Sequence, residues 1–139
     1  MLSRLRDALV RTTPIRTVSA HCDLPCGVYD PAQARIEAES VKALVQKHNA
    51  SDDPLFRTRA IFIKEQRAEL VKHHLWVLWT DYFKAPHFQK YPDLHRLFNE
   101  ATKLAGAAGV KGSLDESVAD QLLAKIDEIA KIFWETKQA

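Results

Sequence analysis

"YDPAQARIEAESVKALVQKHNASDDPLF" occupies residues 29–56 and contains Asp-Pro twice, as Asp30-Pro31 and Asp53-Pro54. Each pair is a helix start. The aspartate can accept an orphan N–H of the first turn, and the proline supplies a helical φ where no N–H is needed. Gln33 stands where it can complete a capping box for the first start. Between the two starts Ile36, Val41, Leu44 and Val45 recur at helical spacing, which predicts a helix from Pro31 to about Asn49. Only a few residues separate its end from the next start, so the two helices must fold back on one another as antiparallel neighbours.

Working outward, the second helix should run from Pro54 to about Phe83, with Phe56, Ile63, Leu70, Leu75, Leu78 and Trp79 among its apolar positions. Pro86 lies beyond its end, where a proline cannot continue a helix. Pro92 opens a third, carried by Leu94, Leu97, Phe98, Ala101, Leu104, Ala105 and Ala108, until Gly106, Gly109 and Gly112 break it. Ser113 with Glu116 reads as a capping box for the fourth, whose stripe is Val118, Leu122, Ile126, Ile129 and Phe133. Four amphipathic helices imply an all-α fold, an antiparallel four-helix bundle over 31–136.

The composition excludes several classes. The formal charge is +2, but Arg4, Arg6, Arg11 and Arg16 against Asp7 supply it within residues 1–20. The remainder is close to neutral and lacks the basic excess of a nucleic-acid binder. No run of about 18 apolar residues offers a membrane span. A di-iron bundle site needs Glu-x-x-His on two helices, and no glutamate here has a histidine three positions later. Residues 1–20 are arginine-rich, lack a secretory apolar core and end in Ser19-Ala20, which reads as a leader before a peptidase site; an organelle transit peptide and a disordered N-terminal tail are the other readings of this stretch. A cytoplasmic location is the expectation.

Directly after that leader stands "HCDLPCGVYD", residues 21–30, with both cysteines of the chain. A Cys22–Cys26 disulfide in a helical interaction module is one reading. Cleavage after Ala20 opens another, because His21 would gain a free amine able to ligate a metal at neutral pH. The His21 amine, the Cys22 amide nitrogen and the thiolates of Cys22 and Cys26 then make a tetragonal set of two nitrogens and two sulfurs. That geometry suits Ni(II) or Cu(II), with the His21 imidazole as a further axial donor. A metal carrier would use the same donors without turnover. His73-His74 point about 100° apart on a helix and read as no metal pair. His48, His87 and His95 read as surface or packing residues, and Trp76, Trp79 and Trp134 as core or interface.

His21-Cys22-Asp23-Leu24-Pro25-Cys26-Gly27-Val28-Tyr29 resembles the nickel-binding hook of the nickel superoxide dismutases. The likeness continues through "YDPAQARIEAESVKAL", "IKEQRAELVKHHL", "DYFKAPHF" and "IFWETK", and covers nearly everything after residue 20. The resemblance implies a leader at 1–20 removed by a peptidase, and a superoxide dismutase domain at 21–139 with its hook at 21–29. It also implies assembly into a homohexamer, and conversion of superoxide to O2 and H2O2 by Ni(II)/Ni(III) cycling. By the same resemblance His21, Cys22 and Cys26 are the metal ligands. Glu37 and Arg67 match the pair that holds the histidine ring. Tyr29 and Tyr82 match the catalytic tyrosines beside the open metal face, and Asp23, Pro25 and Lys84 match the rest of the access wall.

Overall fold

The computed structural model describes residues 26–139. Residues 1–20, His21, Cys22, Asp23 and Pro25 lie outside that range. Five α-helices follow: α1 Ala32–Asn49, α2 Pro54–Val77, α3 Ala85–Lys90, α4 Leu94–Leu104 and α5 Glu116–Gln138. The four long ones, α1, α2, α4 and α5, form the expected antiparallel bundle. α1 packs most extensively on α2, then on α5, and α4 packs on α5.

The pairing of α1 with α5 is written in their polar edges. Arg35 meets Asp127, Lys42 meets Asp120 at 2.7 Å, and Gln46 meets Glu116 at 2.9 Å. Each step up α1 is matched by an equal step down α5, so the helices run antiparallel in constant register. Beneath that edge Ala34, Ala38, Val41 and Val45 face Ala119, Leu122, Ile126, Ile129 and Phe133, all buried. The small residues of α1 let its backbone approach closely, while the bulk comes from α5 and from Leu75, Leu94 and Phe98.

Several local expectations change. Asp30 does cap α1, accepting the Ala32 N–H at 2.8 Å, and Asp53 accepts the Leu55 N–H at 3.0 Å. The fourth-helix cap is not Ser113. Asp115 takes the Ser117 N–H at 2.9 Å, and Ser113 Oγ accepts the Asp115 N–H one step upstream. The carboxylate wins because an ionised acceptor near a helix N-terminus gains more than a hydroxyl. That bond also lowers the Asp115 carboxyl below its usual value.

Ile36, expected inward, is exposed, because the buried stripe runs one position to the side through Ala34 and Ala38. Phe56 is likewise exposed. α4 ends at Leu104 rather than Ala108. There the chain turns so tightly that a Cβ on Gly109 would stand 1.9 Å from the Leu104 carbonyl oxygen. Pro86 does follow the end of α2, but it also sits in the first turn of the short α3.

Two buried polar groups fix the bundle ends. Lys64 is 2% exposed, and its ammonium donates to the carbonyls of Lys111 at 3.1 Å and Ser113 at 2.7 Å. It thereby ties the α4–α5 connection to α2. Burial lowers its pKa. At the α1–α2 turn, buried His48 accepts from Arg57 Nε at 3.3 Å.

Candidate metal centre and its tyrosine wall

The described part of the hook begins at Cys26. Gly27 adopts φ +73°, a left-handed conformation natural to glycine. That turn brings the Val28 N–H to 3.4 Å from the Cys26 sulfur. The same sulfur lies 3.9 Å from the Val28 carbonyl oxygen, and as a thiolate, the form that ligates a soft or borderline metal, it would accept the Val28 N–H. Cys26 is exposed, so the donor stands on the outside of the bundle with room for other ligands. What is present therefore fits nickel; the other two expected ligands, His21 and Cys22, lie outside the described residues.

Two positions after the turn, Tyr29 packs against the hydrophobic core. Its ring meets Tyr82, with centroids 5.5 Å apart. Tyr82 reaches this place because α2 does not end as a plain α-helix. Residues Leu78–Tyr82 form a π turn, closed by the Phe83 N–H on the Leu78 carbonyl at 3.0 Å. The wider turn carries Tyr82 to the Phe133 ring at 4.4 Å, while Phe83 drops into the core at 2% exposure. Lys84 follows at the exposed corner between this turn and α3.

Sequence reasoning missed three neighbours of Tyr82. His87 stacks on it with centroids 5.8 Å apart and rings 9° from parallel, and its Nδ1 accepts the Lys84 N–H at 3.0 Å. Thr136 Oγ1 lies 2.7 Å from the Tyr82 hydroxyl. The Lys137 ammonium sits 5.1 Å from the centre of the same ring. A signal for Thr136 was available: it stands three residues after Phe133 in α5, on the face that Phe133 buries.

The expected Glu37–Arg67 pair forms. Arg67 Nη1 donates to both Glu37 oxygens, at 3.3 and 3.1 Å. Glu37 is mostly shielded and Arg67 less so, with side-chain exposures of 16% and 40%. This pair lies about 20 Å along the helix from Tyr82, taking 1.5 Å per residue from Arg67. Among the described residues no hydrogen bond or ion pair links it to Tyr29, Tyr82 or Lys84. The structure thus brings Tyr29 and Tyr82 together at one place and Glu37 and Arg67 at another.

Trp79 and His95 pack and bond with each other away from the tyrosine wall, while Trp76 and Trp134 are exposed. Trp79 stacks on Phe98 and donates Nε1–H to His95 Nδ1 at 3.0 Å. The His73 and His74 rings lie edge to face with centroids 5.9 Å apart. Among the described residues no cluster of three metal-binding side chains exists.

Comparison with known proteins bears directly on this arrangement. The family profile described as "Nickel-containing superoxide dismutase" matches residues 16–137. "Superoxide dismutase [Ni]" of Streptomyces coelicolor is 63% identical, and that of Streptomyces seoulensis 62% identical, each over the whole of both chains. The solved native structure of a nickel superoxide dismutase superposes with a TM-score of 0.82 at 64% identity. It covers 86% of this chain and all of that one. A second solved chain, with nickel ligation corresponding to the oxidised state, matches with the same scores and coverage. The chain belongs to the nickel-containing superoxide dismutase family.

Proposed function

We propose that this chain, cut between Ala20 and His21, holds nickel through His21, Cys22 and Cys26 and disproportionates superoxide. Two superoxide ions and two protons become one O2 and one H2O2. Nickel, when bound, supplies the one-electron couple. The chain's own residues do the rest. The Cys26 turn presents a thiolate at the surface. Tyr29 and Tyr82, packed against each other with ring centroids 5.5 Å apart, form a wall beside it. Lys84 and Lys137 add positive charge near the approach, which raises the local concentration of a small anion. Glu37, braced by Arg67 and about 20 Å from the tyrosine wall of its own chain, is the acceptor for a ring N–H of the His21 of a neighbouring subunit in the homohexamer, and Asp23 and Pro25 complete the wall.

The observation that carries this reading is the convergence of Tyr29 and Tyr82 at the end of the bundle where the Cys26 turn emerges. Processing is supported by coverage: 86% of the 139 residues matches the whole of the solved relatives, leaving a share close to the length of the expected leader. Assembly into a homohexamer is supported by an outward apolar face on α1 and α2, where Ile36, Leu55 and Phe62 are each more than half exposed. We place the processed protein in the cytoplasm and assign release of His21 to a leader peptidase.

The test compares the full chain with residues 21–139, each supplied with nickel. Nickel content, the N-terminal residue by mass spectrometry, native mass and superoxide consumption are read on the same samples. The expected result is turnover only where His21 is the first residue. Equal turnover in both refutes the processing step. Stoichiometric nickel without turnover in the cut form refutes dismutation and leaves a carrier.

A further inference from the structure

The contact between Tyr82 and α5 has a direction. Thr136 Oγ1 lies 2.6 Å from the Phe133 carbonyl oxygen, one turn earlier in α5. A carbonyl has no proton to give, so at that separation the threonine proton must lie on this line. Thr136 therefore has only lone pairs left for the Tyr82 hydroxyl at 2.7 Å, and the phenol proton must point to Thr136. Tyr82 cannot turn away, because Phe133 and His87 pack against its ring and the Lys137 ammonium lies 5.1 Å from its centre.

We infer that Thr136 is a positioning residue for the dismutation reaction: by taking the phenol proton of Tyr82, it leaves that oxygen to accept hydrogen bonds at the tyrosine wall. This rests on the reading of Tyr82 given above. A hydroxyl so committed is a poor partner for superoxide, which is an anion and offers only lone pairs. It is a good partner for species that carry protons, namely water and hydrogen peroxide. Tyr82 then holds the water that delivers protons, or the leaving peroxide, and discourages anions from lodging against the wall. Fast release of small anions is what a site turning over a diatomic radical requires.

The experiment uses Thr136→Val, which keeps the shape and removes the acceptor, Thr136→Ala as a second variant, and Thr136→Ser, which restores the hydroxyl. In the metal-free chain, the ultraviolet Raman doublet of Tyr82, obtained by subtracting the Tyr82→Phe spectrum, reports whether the phenol donates. Wild type and Thr136→Ser should show a donor, and Thr136→Val and Thr136→Ala should lose that signature. In the nickel-loaded, processed protein, azide should inhibit Thr136→Val about tenfold more strongly, the size of one hydrogen bond to a charged group. That gain should vanish in the Tyr82→Phe background. A donor signature unchanged in Thr136→Val, or an azide effect that persists without the Tyr82 hydroxyl, overturns the inference. If nickel-loaded wild type failed to turn over superoxide, the proposed function would fall, and the Raman spectra would still decide the direction of the Tyr82–Thr136 bond.

Discussion

Arg67→Met separates bracing from folding. Arg67 gives Glu37 two hydrogen bonds from one nitrogen, at 3.3 and 3.1 Å. The guanidinium is 40% exposed, so its pairing contributes little to stability, about 0–1 kcal/mol. Leaving Glu37 at 16% exposure without its cation adds roughly another kcal/mol of uncompensated burial. A loss of about 1–2 kcal/mol should lower the melting temperature by roughly 3–8 °C in a chain of this size. Methionine retains the aliphatic stem, so packing against Ile63 and the α1 face is kept.

The functional cost of Arg67→Met should be much larger. Partners that orient a metal-bound histidine are typically worth about 10–100-fold in metal affinity or activity. Superoxide consumption, nickel per chain and thermal melting should be measured together on the processed protein. If Arg67 acts through Glu37, the Arg67→Met, Glu37→Gln double variant should lose no more activity than Glu37→Gln alone. Activity within twofold of wild type at full nickel content would refute the bracing role of the pair.

Cys26→Ser should abolish turnover while leaving the metal-free melting temperature unchanged within about 1 °C, since Cys26 is exposed and precedes α1; circular dichroism and nickel analysis check both halves. Lys64→Met should destabilise by about 2 kcal/mol, because the carbonyls of Lys111 and Ser113 lose their shared donor. The pH dependence has a defined sign: the folded pKa of Lys64 is lowered from its ordinary 10.5. Between those two values the unfolded chain holds more protons, so wild type should gain stability over Lys64→Met as pH rises there, measured by denaturant melts at several pH values.

What could be read from the chain, and what could not, follows the range of the interactions. Asp30-Pro31 and Asp53-Pro54 are local signals, and both helix starts stand where they were expected. The Glu37–Arg67 pair was legible through resemblance, and the close packing of α1 on α2 brings the two residues into bonding distance. The expectation for Ile36 failed because an apolar side chain on a helix does not say whether the fold or another surface covers it. Ser113 was mistaken for the cap because a hydroxyl and a carboxylate two residues apart compete for the same helix end, and spacing alone ranks them equally. His87 and Thr136 went unrecognised as neighbours of Tyr82 because each reaches it across a boundary between elements, through the π turn and the last turn of α5.

The π turn is where sequence reading was least able to see the site and where the structure invests most to build it. Periodicity carries the helix through Leu75 and Leu78 toward Phe83, but the Phe83 N–H skips one carbonyl and binds Leu78 instead. One extra residue in a turn shifts everything after it by about 100°, the angle of one helical position. The turn already holds one extra residue, so inserting an alanine after Thr80, an exposed member of that turn, should rotate Tyr82 by about 100° away from Tyr29, Phe133 and Thr136. Phe83 would leave its buried place, which costs about 1.5–3 kcal/mol, so the variant should still fold, with a lower melting temperature. Nickel binding should survive, because no expected ligand lies in the turn. Turnover should fall at least as far as in Tyr82→Phe, and the Thr136→Val substitution should then have no effect on azide inhibition. An insertion variant that melts as expected yet keeps wild-type turnover would show that the position of Tyr82, which the π turn sets, is not used in the reaction.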